Sequence, residues 1–319
     1  METMPKERIL IDADTGFDVA LAILYAIRSP KLHVEGITTV FGNTSAEQAA
    51  DNTLRLLAFV RPGYEIPVAV GAAAPLARKL DHLSTHVHGA NGMGNVELPP
   101  SAQKPLDESG AAYIVRKANE EPGVLTLVTL ASMTNLALAL ELDPALPSKL
   151  KRIVAMGGAI HVPGNVTPVA EANFYKDPES ADRVLTSGLP VVLVGLDVTL
   201  KTRISQRNLD YLNRFGQEEA KGIITFMESV LQHYFRFYQG SNHFFGEAPL
   251  HDPLAVMILA RPELVTRREM KVRVECEGTF TSGMVVADLR VHPREGWPVE
   301  VCVDVQGERA VGEFLSVFL

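Results

Sequence analysis

Three aspartates fall within seven residues in Asp12-Ala13-Asp14-Thr15-Gly16-Phe17-Asp18. Carboxylates this close repel one another unless a cation or hydrogen-bond donors compensate them, so the run points to a metal or polyol site. A single Asp ahead of a helix is ordinarily its cap, which is the structural reading of Asp18. Further polar residues recur at Gly42-Asn43-Thr44, Gly157-Gly158, Asp197-Val198-Thr199 and His251-Asp252-Pro253. The last of these also reads as an Asp N-cap with Pro at the first helical position. Taken singly, His251 is a structural histidine, Asn165 a turn residue and Met156 a core residue. Only their joint order turns the balance toward a site.

Short apolar runs with intervening helical patterns would have to position these residues. Strands are expected at 8–13, 34–40, 66–70, 124–130, 152–156 and 190–196, each rich in Val, Ile or Leu. Near-continuous apolar runs suit strands buried on both faces, as in a parallel sheet. Helices are expected at 18–28, 46–59, 110–119, 135–142 and 178–187, stopped by Pro or Gly signals. From 204 to 237 the pattern is helical and amphipathic, and 253–260 reads as another helix. Strands at 271–275 and 298–305 and a helix at 309–318 close the chain. The reading is an α/β fold, with one mainly parallel open sheet flanked by helices and a mostly helical segment at about 204–260. No repeat or low-complexity linker divides residues 1–319, so one domain is expected. In such sheets ligands bind beyond the carboxyl ends of the strands, where these polar residues fall.

Composition narrows the function. Of 319 residues, 46% are hydrophobic and 21% charged, which excludes a disordered chain. The net charge of −8 argues against nucleic acid as a partner. Two cysteines, Cys276 and Cys302, are too few for a disulfide scaffold. The N-terminus lacks a signal-peptide layout, and no run approaches the roughly 20 apolar residues of a membrane span. A cytoplasmic protein without membrane contact is expected.

Several motifs are absent. There is no Walker-type loop, no GxGxxG after the first strand and no GxSxG elbow. Gly16 stands at the fifth position of what would be an EF-hand loop. His82, His86 and His88 lack the further convergent ligands that a closed zinc site needs.

The ordered set resembles the inosine–uridine-preferring nucleoside hydrolase family. The run from Ile11 to Asp18 resembles its N-terminal Asp-x-Asp-Pro/Thr-Gly-x-Asp-Asp motif. Val40-Phe41-Gly42-Asn43 resembles its second-strand Gly-Asn, and His88-Gly89 with Gly92-Met93-Gly94 its His-Gly-x-x-Gly-x-Gly loop. The most specific block runs from Met156-Gly157-Gly158-Ala159 through Pro163 to Pro168, Glu171-Ala172-Asn173 and Asp177-Pro178-Glu179. His251-Asp252-Pro253 and the Gly283–Asp288 pattern complete a match over essentially the whole chain.

The resemblance implies hydrolysis of the N-glycosidic bond of ribonucleosides to ribose and free base, with Ca²⁺ holding the attacking water. It implies Asp14 as metal ligand and general base, and Asp252 and the Leu130 carbonyl as further ligands. Asp18, Asn43, Asn165, Glu171 and Asn173 would grip the ribose, Met156 would line the floor, and His88 would lie near the base. His251 would be the proton donor to the leaving base. A role in purine or pyrimidine salvage and a homodimer or homotetramer are implied on the same ground. Oxocarbenium character at the anomeric carbon is stabilised by such carboxylates and amide oxygens.

The sequence departs from the family pattern in three places. Val19 stands where the family has a bidentate calcium-binding Asp, and a lost ligand charge weakens a calcium site. Ala172 stands where an aromatic residue is common, and Ala131-Ser132-Met133 replaces Gly-Pro-Leu. The alternative is therefore a catalytically impaired relative that binds nucleosides or other ribosyl compounds. A third reading is a phosphohydrolase of the haloacid dehalogenase type, suggested by Asp12-x-Asp14, which Gly16 counts against. Retention of Asp14, Asp18, Asn43, Asn173, His251 and Asp252 favours the active hydrolase.

Overall fold

The computed structural model describes residues 5–80 and 83–319. Eleven strands follow in chain order: β1 (Glu7–Ala13), β2 (Leu32–Thr39), β3 (Val68–Val70), β4 (Thr126–Thr129), β5 (Arg152–Met156), β6 (Val191–Val194), β7 (Arg203–Ser205), β8 (Glu247–Pro249), β9 (Val265–Val274), β10 (Val285–Ala287) and β11 (Trp297–Val305). Nine of them form one sheet in the order β10-β9-β11-β6-β5-β4-β1-β2-β3. From β11 to β3 every neighbouring pair is parallel, and β9 runs antiparallel to both β11 and β10. This is the α/β, mainly parallel sheet expected from the apolar runs.

Alternation along those runs feeds two cores. Ile9, Ile11, Val128, Val154, Met156, Val192 and Val194 pack on one face with the helices Phe17–Arg28, Lys221–Asn242 and His251–Ala260. Leu10, Leu127, Ile153, Ala155, Val191 and Leu193 pack on the other with Gly110–Glu120, Thr134–Leu142 and Pro178–Leu185. A strand covered on both faces has no polar side to display, so it reads as continuously apolar. Leaving these faces in water would cost about 25 cal/mol per Å² of apolar surface.

The strand order reverses between β1 and β4, which are paired although β2 and β3 follow β1 in the chain. Chain segments leaving β1 and β4 at their carboxyl ends turn away from each other there, opening a crevice. Asp14 follows β1 and Leu130 follows β4 at that point.

The segment at 204–260 is less uniformly helical than its pattern suggests. Helices span Gln206–Phe215, Lys221–Asn242 and His251–Ala260, but β7 and β8 pair as a separate antiparallel ribbon. Strands of three residues are too short to show a period. The helix expected from 253 starts at His251, with Leu250 at its N-cap. Asp252 is thus in the first turn and is not the cap, and Pro253 occupies a position whose N–H would lack an intrahelical partner. Likewise Gly16 is the N-cap of Phe17–Arg28 and Asp18 lies in its first turn.

Candidate active site

A cavity of about 600 Å³ opens at the carboxyl ends of the strands. Asp18, Asn43, His88, Leu130, Met156, Asn165, Glu171, Asn173, His251 and Asp252 all line it, although they span more than 230 positions of the chain. Tyr234, Phe237 and Tyr238 add an aromatic wall from one helix. His82 lies outside the described residues, as does the side chain of His86.

Asp14 is fully buried beneath the floor. Its Oδ2 accepts the Asn43 backbone N–H at 2.6 Å and its Oδ1 accepts Asn43 Nδ2 at 2.9 Å. Gly42 must be glycine, because a Cβ there would overlap the Asp14 carboxylate. Burial pushes the Asp14 carboxyl above its usual range, and the nearby Lys176 charge opposes that rise.

Two helix N-termini meet at Asp18 and Asp252. Asp18 Oδ2 accepts the Asp252 backbone N–H at 2.9 Å, so Asp18 serves the helix His251–Ala260 and not its own. Burial raises the Asp18 carboxyl to about 7. Asp252 rises well above its ordinary value, first through burial and then through the charges of Asp18 and Asp14. Asp12 plays another part. It lies within β1, where Oδ1 accepts from Thr38 Oγ1 at 2.6 Å and Asn135 Nδ2 at 2.7 Å, tying three segments together.

The loop after β5 is organised by Glu171. Its carboxylate accepts the backbone N–H groups of Gly158, Asn173 and Phe174, and burial raises its pKa. Asn173 Nδ2 donates to the carbonyls of Met156 at 3.1 Å and Leu130 at 3.3 Å. Asn165 is exposed at the mouth, its Oδ1 accepting the Ala172 N–H at 3.0 Å. The His88 ring stacks on Phe17 at 4.4 Å. The Gly283–Asp288 stretch is structural: it carries the edge strand β10, and Asp288 pairs with Arg290.

His251 differs from its expected role. Nδ1 lies 2.7 Å from Thr199 Oγ1 and Nε2 lies 2.7 Å from the Tyr238 hydroxyl. Burial pushes the imidazole down to about 3, so it is neutral at neutral pH. Burial thus disfavours the imidazolium form expected of a proton donor, and the ring lies between two hydroxyls.

Two residues at the site escaped the sequence reading. Thr199 was visible only as a polar residue after a strand. Lys176, at the end of the helix Ala172–Lys176, has the pattern of an ordinary exposed C-terminal lysine. Its side chain instead keeps 10% of its accessible surface and lines the cavity, with Nζ 3.8 Å from Asp14 Oδ2. Burial pushes the ammonium's pKa down, while Asp14, Glu171 and Asp252 pull it back. The one signal in the sequence was a charge argument: a carboxylate missing at 19 calls for a compensating change elsewhere.

The expected calcium site does not fit these residues. Ca²⁺ takes six to eight oxygens at about 2.3–2.6 Å. Here Val19 is fully buried in the apolar core, both Asp14 oxygens face Asn43 donors, and the Leu130 carbonyl accepts from Asn173. A lysine ammonium beside Asp14 would repel a dication. Among the described residues no group of three or more His, Cys, Asp or Glu side chains is arranged to hold a metal ion.

A mainly parallel sheet that gathers buried carboxylates and amides at its switch point is an α/β fold with its cavity at the carboxyl ends of the strands. The chain belongs to the inosine-uridine preferring nucleoside hydrolase family, whose model matches residues 9–311. It is 39% identical over 272 residues to uridine nucleosidase 1 of Arabidopsis thaliana, covering 85% of this chain and 79% of that protein. Among solved structures it is similar to a plant nucleoside hydrolase, the PpNRh1 enzyme (TM-score 0.91, 33% identity, 98% and 99% of the two chains). A purine-preferring ribonucleoside hydrolase from Gardnerella vaginalis is also similar (TM-score 0.89, 33% identity, 98% of each chain). Among the described residues no helix is long and apolar enough to cross a membrane.

Proposed function

We propose that this chain hydrolyses the N-glycosidic bond of ribonucleosides. The observation that carries the reading is the convergence of Asp18, Asn43, Asn173 and Asp252 on one cavity floor directly above Asp14. Buried carboxyls and amides at a cavity floor suit the two vicinal hydroxyls of a ribose, which both donate and accept. The aromatic wall of Tyr234, Phe237 and Tyr238 suits a planar base.

In the reaction the bond from the anomeric carbon to the base nitrogen breaks, and its electron pair leaves with the base. Positive charge grows on the ribose ring, where the surrounding carboxylates stabilise it. Water adds to the anomeric carbon and gives up one proton to Asp14, whose raised pKa suits a general base. Asp14 lies beneath the floor, bonded to Asn43 and 3.8 Å from the Lys176 ammonium, which both line the cavity, so its contact with the water forms when substrate is bound. The base nitrogen takes its proton from the Tyr238 hydroxyl, which is restored through neutral His251 and from solvent. Ribose and free base result.

The test is ribose release, followed as reducing sugar, from a panel of purine and pyrimidine ribonucleosides. Release from at least one nucleoside is expected. No release from any of them, at high enzyme concentration and with or without added calcium, would overturn the reading.

A further inference from the structure

Among the described residues, Lys176 is the one charged group on the cavity floor whose donors are uncommitted. Its Nζ has no hydrogen-bond partner although it is buried, and an ammonium carries three donors. An unsatisfied buried cation is costly, so those donors belong to whatever enters the cavity. The other basic side chains that line it are placed differently. Arg78 is held by Glu179 at 2.6 Å, and Lys79 is exposed.

The charges around Lys176 are those of Asp14, Glu171 and Asp252. Such a cluster needs a cation to remain ionised. Position 19, where a third ligating carboxylate would stand, is an apolar side chain sealed in the core. Removing one carboxylate and exchanging a dication for a monocation leaves the net charge of the site unchanged. The missing carboxylate at Val19 and the buried ammonium of Lys176 therefore compensate each other.

We infer that the Lys176 ammonium takes the place of the divalent cation in this site, holding Asp14 in orientation and donating hydrogen bonds to the ribose hydroxyls and the attacking water, so that the chain works without calcium. The inference rests on the hydrolase reading for its substrate and on the geometry of the floor for its cation. An ammonium supplies charge and direction but polarises water less than a metal ion does. Proton removal then falls more heavily on Asp14.

Calcium binding read by calorimetry, separately from turnover, tests this. The native protein is expected to show no stoichiometric calcium binding and less than about a twofold change in ribose release on adding a chelator. Lys176→Met is expected to lower kcat about 100-fold or more, without rescue by calcium, because Val19 offers no ligand. If that variant fails to fold, the double variant Val19→Asp with Lys176→Met carries the test. It is expected to bind one calcium ion and to be stabilised by it in a thermal melt. Stoichiometric calcium binding by the native protein, or a folded double variant that binds none, would overturn the inference. A native protein that neither binds calcium nor releases ribose would sink the hydrolase reading and leave the cation assignment standing.

Discussion

The His251 imidazole and the Tyr238 phenol are joined at 2.7 Å, inside a pocket that keeps the imidazole neutral. The other ring nitrogen is engaged by Thr199, so His251 can pass a proton only by taking one on its far side. Burial also raises the Tyr238 phenol above its ordinary range, which makes it a donor only toward a strongly basic leaving nitrogen. Base departure and proton delivery are therefore coupled through this pair. Tyr238→Phe should lower kcat about 100-fold with a smaller change in KM. Combining it with His251→Ala should cost little more than either change alone, since both interrupt the same chain. Steady-state kinetics of the two single variants and the double variant would check this, and additive losses would contradict the relay.

The pH profile follows from the same burial. A histidine with its pKa pushed to about 3 is neutral throughout the usual assay range. The acid limb of kcat/KM should therefore reflect protonation of the raised carboxyls, and it should survive His251→Gln in shape while falling in height. If the limb disappears in that variant, the imidazole titrates after all.

Asp14 should be indispensable to the chemistry. Asp14→Asn keeps the shape but cannot accept a proton, so kcat should fall about 1,000-fold or more. Binding of a substrate analogue, followed by calorimetry, should weaken far less. A variant that retained a tenth of native turnover would pass the base role to another floor carboxylate.

Asp12 should affect stability and not turnover. It lies in β1 and bonds Thr38 and Asn135, so Asp12→Ala leaves buried donors unsatisfied and should cost about 2–3 kcal/mol. Its pKa is raised by burial from 3.8 to about 7, so the folded state holds a proton that the unfolded state has released. Its contribution is complete below 3.8 and is lost as pH rises through about 7. Asp12→Asn should therefore gain stability relative to the native protein over that interval. Urea melts at several pH values would check the sign.

Much of the site was legible before any fold was known. Asp14, Asp18, Asn43, His251 and Asp252 stand out because each follows a strand or opens a helix, where an α/β sheet gathers its polar residues, whereas Asn173 is singled out only by the family resemblance. The strands themselves were legible because burial on both faces leaves an unbroken apolar run. Where the rules of local pattern weaken, so did the reading. Of the four three-residue strands only β3 lies in an apolar run, and β7, β8 and β10 carry too few residues for a period. The first half of β9 is polar on both faces, with Arg267 half-buried and Arg268 and Glu269 exposed, which hides its alternation.

The order of residues along this chain determined the layered α/β architecture, the family and which carboxylates would meet. The architecture follows from side-chain period and turn chemistry, which are local, and the family and its meeting carboxylates from the resemblance of the ordered motifs. Only the tertiary structure decided what sits among the carboxylates. The burial of Lys176 beside Asp14 joins segments 162 positions apart, and the neutral state of His251 depends on a pocket built from three separate elements. Charge compensation and desolvation are properties of a packed volume. A helix-terminal lysine and a histidine before Asp-Pro acquire their meaning only when the chain closes around them.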